Sequence, residues 1–222
     1  MILGLSGFAG AGKSTIAEYL VRQHGFVRLS FASAVKDVTA SAFGWDRQRL
    51  EGSSPQDRDW REQPDPFWSQ RMGKPFSPRT ALQYIGTDIF RNRVLSTIWV
   101  DNVIVKIRNT APTANIVIDD VRFVNERQSL AAEGARFLLV RRTEFQTPLH
   151  TELWRAARGR FDVRDIALDS PYSLHPSEWD WLQDATVADD PVIVNSGSYD
   201  ELYAAVDAWY TPLASDALLL TQ

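Results

Sequence analysis

The sequence predicts an α/β fold in which a five-stranded parallel sheet is covered by helices on both faces. Five short segments are almost continuously apolar, and stretches with helical spacing of apolar residues lie between them. Strands without polar alternation are typical of parallel sheets that are buried on both sides, and their alternation with helices favours the same arrangement. The predicted strands are 1–6, 26–31, 115–120, 137–140 and 191–194.

The first strand leads into the most specific motif of the chain. Residues 7–14 read GFAGAGKS, which matches the phosphate-binding pattern G-x-x-x-x-G-K-[ST]. A helix is predicted over 13–24, and Gly25 ends it. Strand, loop and helix N-terminus together direct backbone N–H groups and the helix dipole at an anion. We therefore predict a nucleotide-phosphate site on a three-layer P-loop fold; the alternative is a flexible Gly/Ala turn.

Each residue type in this motif has a predicted task. Lys13 would reach the β- and γ-phosphates, and the hydroxyl of Ser14 would bind Mg²⁺. Glycine at positions 10 and 12 allows positive φ and a close approach to phosphate oxygens. The residues predicted to contact the nucleotide here are Gly7, Ala9, Gly10, Ala11, Gly12, Lys13, Ser14 and Thr15.

Residues 44–78 differ in character from the rest of the chain. They are rich in Trp, Pro, Arg and Asp and show little apolar periodicity, which predicts an irregular insertion with one short helix. A loop of this length is more often functional than idle. The helix predicted before it covers 32–43 and ends at Gly44.

Ser77 and Pro78 then begin a helix, as N-cap and first-turn proline. Gly86 within it predicts a close approach or a break, because glycine destabilises a helix interior. A polar row at i+4 spacing could hold a second ligand by its phosphate and base edge; the alternative is an ordinary solvated face. This row consists of Arg79, Gln83, Thr87 and Arg91. A further helix is predicted over 98–109.

The third predicted strand ends in two carboxylates, Asp119 and Asp120. In a phosphate-loop protein a carboxylate at this place holds Mg²⁺, and the alternative is a cap of the next helix. Adjacent strand residues point to opposite sides, so one of the two would face the metal, and the sequence does not say which. Arg122 could reach the same ligand, or instead pair with Glu126 at i+4.

Six arginines follow the fourth strand, in a segment that we predict to contain a closing lid. Arginine brought in by a lid can stabilise the charge of a transferring phosphoryl group, whereas the alternative is a solvated basic face. The six are Arg141, Arg142, Arg155, Arg158, Arg160 and Arg164. After the last strand, Asn195-Ser-Gly197 could pack against an adenine ring or form a simple turn. A capping box, Ser198 with Glu201, begins the last helix, and a loosely held tail is predicted over 211–222.

Composition excludes several classes of function. The net charge of −4 and the pI near 5.4 give no basic field for nucleic acid. The absence of cysteine excludes disulfides, thiolate catalysis and cysteine zinc sites, and the three histidines lack metal-ligand spacing. No apolar run approaches a membrane span, and no cleavable leader is predicted. We therefore expect a cytoplasmic protein of one domain, 1–222.

Several segments together resemble the phage-type deoxynucleoside monophosphate kinases, a family of P-loop nucleoside monophosphate kinases. They run in the family's order and touch most of the chain. The segments with LQxxGT and DxRFxNE are the most discriminating. The matching segments are LSGFAGAGKS (5–14), FASAVK (31–36), PRTALQYIGTDIFR (78–91), DVRFVNE (120–126), HPSE (175–178) and VIVNSGSYDEL (192–202), together with Trp99.

The resemblance implies transfer of the ATP γ-phosphoryl group to a deoxynucleoside monophosphate, with Mg²⁺, in the supply of deoxynucleotides for phage DNA synthesis in the host cytoplasm. It implies catalytic roles for Lys13, Asp120, Arg122 and Arg141, and metal binding by Ser14 and Asp120. It places Asn195 and Gly197 at the adenine, residues 44–78 on the acceptor side and residues 141–175 in a lid. The residues implied near the acceptor nucleotide are Lys36, Arg79, Gln83, Thr87, Arg91 and Trp99.

Two other functions fit the phosphate loop alone. A different small-molecule kinase, such as a dephospho-CoA kinase, would share the loop and the sheet but should lack LQxxGT. An ATPase module would hydrolyse ATP without an acceptor. The accepted base, the choice of deoxyribose over ribose, the acting lid arginines and the formation of a homodimer are left open by the sequence.

Overall fold

The five predicted strands form one parallel sheet in the computed structural model. The strands are β1 (Ile2–Ser6), β2 (Val27–Leu29), β3 (Ile116–Ile118), β4 (Arg136–Arg141) and β5 (Val192–Val194), in the spatial order β2-β3-β1-β4-β5. Each neighbouring pair is parallel, and Leu3 is paired with Val117 on one side and with Arg136 on the other. The predicted five-stranded parallel α/β sheet is confirmed.

The structure describes residues 1–142, 147–159, 162–168 and 176–219. They group into two units, one formed by Met1–Leu29 with Thr110–Gln222 and the other by Ser30–Asn109. The helices are α1 (Lys13–His24), α2 (Phe31–Phe43), α3 (Pro55–Glu62), α4 (Pro66–Met72), α5 (Pro78–Gln83), a π-helix (Tyr84–Val94), α6 (Ile98–Asn109), α7 (Val124–Ala132), α8 (Pro148–Arg158), α9 (Val163–Leu168) and α10 (Tyr199–Leu219). Short 3₁₀ turns cover Arg49–Glu51, Pro176–Glu178, Asp180–Gln183 and Ala185–Asp189.

Helices cover both faces of the sheet in the first unit. On one face, α1 and α10 pack against the strands through residues such as Leu20 and Val206. On the other face, α8 and the tryptophan-rich 3₁₀ turns pack through Leu153 and Trp181. Leu138 and Leu139 belong to different cores because successive strand residues point to opposite faces.

The C-terminal segment differs from the prediction of a loose tail. Helix α10 continues through residues 211–219 and contains Pro212, while residues 220–222 lie outside the described part of the chain. Proline removes one backbone donor from a helix interior, but Pro212 is exposed, and Tyr210 before it is buried in the core. The buried anchor explains why the helix does not end where the sequence suggested.

The predicted insertion at 44–78 contains more helix than expected. It holds the two short helices α3 and α4 and one 3₁₀ turn, where the sequence predicted a single short helix. Ser54 and Asp65 cap α3 and α4 by accepting backbone N–H groups, and each is followed by proline in the first turn. These N-caps are local sequence signals for helices that apolar periodicity does not reveal.

The helix predicted to begin at Ser77 changes its pitch after Gln83. Helix α5 passes directly into the π-helix, which then runs to Val94. The indole Nε1 of Trp99 donates to the carbonyl oxygen of Gly86 at 2.8 Å, so this carbonyl has a buried partner. A Cβ at Gly86 would lie 3.2 Å from Cγ1 of Val35, which confirms the predicted close approach.

No helix among the described residues has the length and apolar character needed to cross a membrane.

We expect Trp99→Phe to destabilise the protein by about 1–3 kcal/mol, because the change leaves the carbonyl of Gly86 buried without its donor. Urea unfolding monitored by circular dichroism measures this loss. Trp209→Phe is the matched control, since that partly buried indole makes none of the hydrogen bonds in the described structure. Equal destabilisation by the two changes would contradict the assigned role of the Trp99 indole.

Candidate active site

The phosphate loop, residues 7–12, connects β1 to α1 and has no room for side chains at two of its glycines. A Cβ at Gly7 would lie 2.3 Å from the carbonyl oxygen of Val140, and one at Gly12 would lie 2.4 Å from Nδ2 of Asn195. Gly12 also has a φ of 103° and Gly10 one of 74°, in the region that favours glycine. The loop conformation predicted from the motif is therefore present.

Lys13 folds back over the loop. Its Nζ donates to the carbonyl oxygens of Gly7 at 2.7 Å and Phe8 at 3.0 Å. Burial, and after it the nearby positive charge of Arg122, lower the pKa of Lys13 to about 8, against the opposing charges of Glu178 and two aspartates. The ammonium group is thus held at the loop in an environment that would gain from an additional anion.

Asp119 is the carboxylate that meets Ser14. The hydroxyl of Ser14 donates to Oδ2 of Asp119 at 2.7 Å, and the Asp119 side chain is buried. The sequence left Asp119 and Asp120 open, and the resemblance assigned the metal to Asp120. In the structure Asp119, which directly follows β3, is the acid that contacts Ser14. The negative charge of Asp120 raises the pKa of Lys13.

Arg28 is a site residue that the sequence analysis missed. Its Nε donates to Oδ1 of Asp119 at 2.9 Å, and its NH2 donates to Oδ2 at 2.6 Å. This two-point contact neutralises a buried carboxylate that would otherwise be costly to ionise. The available signal was a single arginine inside the short apolar strand β2.

Asn195 braces the phosphate loop from the end of β5. Its Nδ2 donates to the carbonyl oxygen of Ala11 at 2.9 Å. Its backbone N–H donates to the backbone carbonyl oxygen of Arg141 at 2.7 Å. The predicted adenine contact is thus not open to this side chain, which is buried against the loop. Gly197 lies next to the carboxylate of Glu201, which caps the start of the last helix, as the predicted capping box requires.

Arg122 pairs with an acid that the sequence analysis gave no role. Its NH1 lies 3.6 Å from Oε1 of Glu178, and Oε2 of Glu178 accepts the backbone N–H of Ala9 at 3.0 Å. The alternative partner, Glu126, accepts the backbone N–H groups of Arg122 and Phe123 and so caps α7. Arg122 therefore lies beside the loop as the partner of Glu178, with 45% of its side chain exposed.

Much of the predicted lid is packed helix. Helix α8 buries Leu153 and Trp154 in the same core as Phe8 of the phosphate loop, and the Arg141 guanidinium lies 5.4 Å from the Trp154 ring centroid. Arg158 donates to the backbone carbonyls of Val187 and Asp190, so it ties α8 to a neighbouring turn. Arg155 and Arg164 are exposed, while Arg160 and His175 lie outside the described residues.

The predicted acceptor row lies on one exposed side of its helix in the second unit. An α-helix has fewer than four residues per turn, so side chains spaced by four rotate slowly around the axis of α5 in one direction. A π-helix has more than four residues per turn, so the same spacing rotates in the opposite direction along the π-helix. The change of pitch therefore keeps the row aligned. Arg79, Gln83 and Thr87 are exposed and Arg91 is half-buried.

Two other residues implied near the acceptor have partners within the second unit. Lys36 forms an ion pair with Glu51 at 2.5 Å, and Arg47 also binds Glu51. Burial raises the pKa of Glu51, but hydrogen bonds from Lys36 and Arg47 outweigh it, so this pKa is lowered overall. Trp99 is buried beneath the π-helix, and its indole donates to the carbonyl of Gly86 in that helix.

Within the part of the chain that the structure describes, no three His, Asp or Glu side chains cluster as a metal site. The donors available at the loop are the Ser14 hydroxyl and the Asp119 carboxylate.

Comparisons with known proteins point to one family of kinases. Residues 67–152 match the family model described as deoxynucleotide monophosphate kinase. A protein of Acanthamoeba polyphaga mimivirus, whose name assigns it provisionally to the same kinases, is 29% identical over 93% of this chain and 94% of its own length. These findings confirm the predicted resemblance and the predicted class of enzyme, a nucleotide-binding kinase.

Solved structures show weaker overall likeness. TT1252 from Thermus thermophilus is 20% identical with a TM-score of 0.47, covering 96% of this chain and 97% of its own. Dephospho-CoA kinase from Campylobacter jejuni is 14% identical with a TM-score of 0.44, covering 97% of this chain and 98% of its own. Similarity at this level does not discriminate between substrates.

We expect Arg28→Met to destabilise the protein by about 2 kcal/mol, because it leaves the buried carboxylate of Asp119 without its main partner. In an Asp119→Asn background the same change should cost much less, since no charge is left unpaired. Chemical unfolding of the two single variants and the double variant measures this coupling. Additive effects would show that the two side chains do not stabilise each other.

Proposed function

We propose that this protein transfers the γ-phosphoryl group of ATP to a deoxynucleoside 5′-monophosphate, giving the diphosphate. The observation that carries the proposal is the phosphate loop, in which Lys13 lies over the loop carbonyls while Ser14 contacts Asp119. The family match over 67–152 supports the acceptor class, because this range contains α5, the π-helix and the acids that end β3. The phosphate loop thus supports the binding of ATP as donor, and the family match supports a deoxynucleoside monophosphate as acceptor.

On the donor side, we propose that backbone N–H groups of the phosphate loop and of the first turn of α1 bind the ATP phosphates. Lys13 then exchanges its contacts with the carbonyls of Gly7 and Phe8 for phosphate oxygens. Asn195 keeps the loop in shape through Ala11, and the backbone of 195–197 is available to the adenine ring. The loop is prepared before the nucleotide arrives, so little ordering is needed on binding.

The residues present also fit Mg²⁺. The hydroxyl proton of Ser14 is directed at Asp119, which leaves the hydroxyl lone pairs for a cation, and oxygen ligands are those that Mg²⁺ prefers. We propose that Ser14 holds the ion and that Asp119, rather than Asp120, orients it. When bound, the ion supplies positive charge that offsets the charge of the transferring phosphoryl group.

On the acceptor side, the exposed row of the second unit provides groups for a nucleoside monophosphate. Arg79 and Arg91 can bind a phosphate with two donors each, and the amide of Gln83 can both donate to and accept from a base edge. Thr87 lies between them on the same side. We propose that this row selects the acceptor, with Lys36 released from Glu51 to join it.

The chemistry then consists of positioning and charge neutralisation. The acceptor phosphate is already an anion, so the transfer requires no side-chain base. Lys13, Arg122 and Arg141 stabilise the charge that spreads over the equatorial oxygens of the phosphoryl group, and Asp120 modulates the loop electrostatically. Exclusion of water prevents hydrolysis of ATP during the transfer.

The proposed setting is the cytoplasm of a bacterial host, where a phage-encoded kinase would supply deoxynucleotides for DNA synthesis. The proposed partners are small-molecule nucleotides, without nucleic acid or membrane.

A coupled ADP-release assay across the common ribo- and deoxynucleoside monophosphates tests this proposal. Turnover with one or more deoxynucleoside monophosphates is expected. Parallel assays with dephospho-CoA and with no acceptor test the two alternatives, a dephospho-CoA kinase and an ATPase. ADP release that is independent of any monophosphate would identify an ATPase and contradict the proposal.

Lys13→Ala should lower turnover by at least roughly 10²–10³-fold while leaving the fold intact, because it removes a charge that stabilises the transferring group. The same assay measures turnover, and circular dichroism checks the fold. Lys74→Ala is the matched control, since Lys74 is exposed in the second unit and has no assigned role. Normal turnover in the Lys13 variant would refute the site.

Nucleotide binding should take up protons at pH 8–9. The pKa of Lys13 is about 8 in the free protein, and a bound triphosphate raises it by adding negative charge. Affinity for ATP should therefore fall as the pH rises above 8, where the free protein loses this proton. Calorimetry in two buffers of different ionisation enthalpy measures the uptake, and Lys13→Met should abolish it. Equal proton uptake in that variant would assign the effect to another group.

A further inference from the structure

A carboxylate occupies the anion-binding side of the phosphate loop. Oε2 of Glu178 accepts the backbone N–H of Ala9 at 3.0 Å, and Oε1 lies 3.6 Å from NH1 of Arg122. Glu178 also acts on Lys13 through its negative charge. One acid therefore engages a loop amide and two cations, which are the groups that the proposed function assigns to ATP phosphates.

The contact with Ala9 and a phosphate contact at the same N–H exclude each other. The N–H of Ala9 carries one hydrogen, which is directed at the carboxylate. A second anion at the same place would also face the negative charge of Glu178 across a short distance. Binding of a phosphate at this end of the loop therefore requires the carboxylate to leave.

The backbone of Glu178 is anchored beside a buried core, so we expect its side chain to be the part that moves. The indole Nε1 of Trp181 donates to the carbonyl oxygen of Glu178 at 3.2 Å. Trp179 and Trp181 are buried in the same core as Phe8, and the rings of Phe8 and Trp181 lie 5.7 Å apart. The Glu178 side chain is 21% exposed, which leaves room for rotation toward solvent.

We propose that Glu178 is a positioning residue whose carboxylate holds the empty phosphate loop and is exchanged for a nucleotide phosphate. The proposal rests on the proposed function, since it assigns ATP to this loop. Displacement of the carboxylate frees Arg122 from its ion pair, so Arg122 becomes available only when a phosphate is present. Glu178 thereby lowers the affinity for the triphosphate and couples the release of Arg122 to its binding.

The test is calorimetric titration with inorganic tripolyphosphate and with ATP. Glu178→Gln keeps the size of the side chain and removes its charge, so both ligands should bind about fivefold more tightly than to the wild type. Glu178→Ala should act in the same direction. Glu152→Gln is the matched control, because Glu152 is exposed on α8 and its change removes the same charge. Adenosine, which lacks phosphate, should not discriminate between the variants.

The outcomes separate this inference from the proposed function. Tighter binding of tripolyphosphate by both Glu178 variants, with Glu152→Gln unchanged, supports the exchange. If the wild type binds tripolyphosphate and the Glu178 variants bind it equally well or more weakly, the exchange is overturned and Glu178 has a merely structural role. Failure of the wild type to bind either ligand overturns the proposed function and this inference together.

Discussion

The close approach of the phosphate loop to the ends of β4 and β5 is the constraint on which the rest of the site depends. Side-chain atoms at Gly7 or Gly12 would collide with Val140 or Asn195, so the loop can approach these strand ends only with glycine at both positions. The residues between these glycines anchor it, because Phe8 is buried in one core of the first unit and Ala11 in the other. A loop fixed on both faces of the sheet keeps its N–H groups in place without a ligand.

The charged side chains around this loop have partners within the protein. Arg28 neutralises Asp119, Glu178 lies near Arg122 and Lys13, and the Lys13 ammonium is bound by two carbonyls. In the second unit, Glu51 forms ion pairs with Lys36 and Arg47. Lys13, Arg122 and Lys36, which are proposed to meet a phosphate, thus each have an acidic or carbonyl partner that an incoming anion can replace.

The sequence was sufficient for the sheet and the loop because both depend on local patterns. Apolar runs identified all five strands, and the glycine spacing with Lys13 and Ser14 identified the phosphate site. Arg28, Glu178 and the choice of Asp119 over Asp120 depend on contacts between segments far apart in the chain, such as 28 with 119 or 9 with 178. Propensity and spacing carry no information about such pairs. The π-helix was missed for the same reason, since its Gly86 carbonyl is bound by Trp99 from the next helix.

The π-helix also restricts which changes of chain length the protein can accept. Relative to an α-helix, each wide turn contains an extra residue. Deleting one residue between Tyr84 and Val94 would move every later side chain of that segment by one helix position, which is roughly 100° around the helix axis. Substitutions along this segment are therefore easier to accommodate than insertions or deletions.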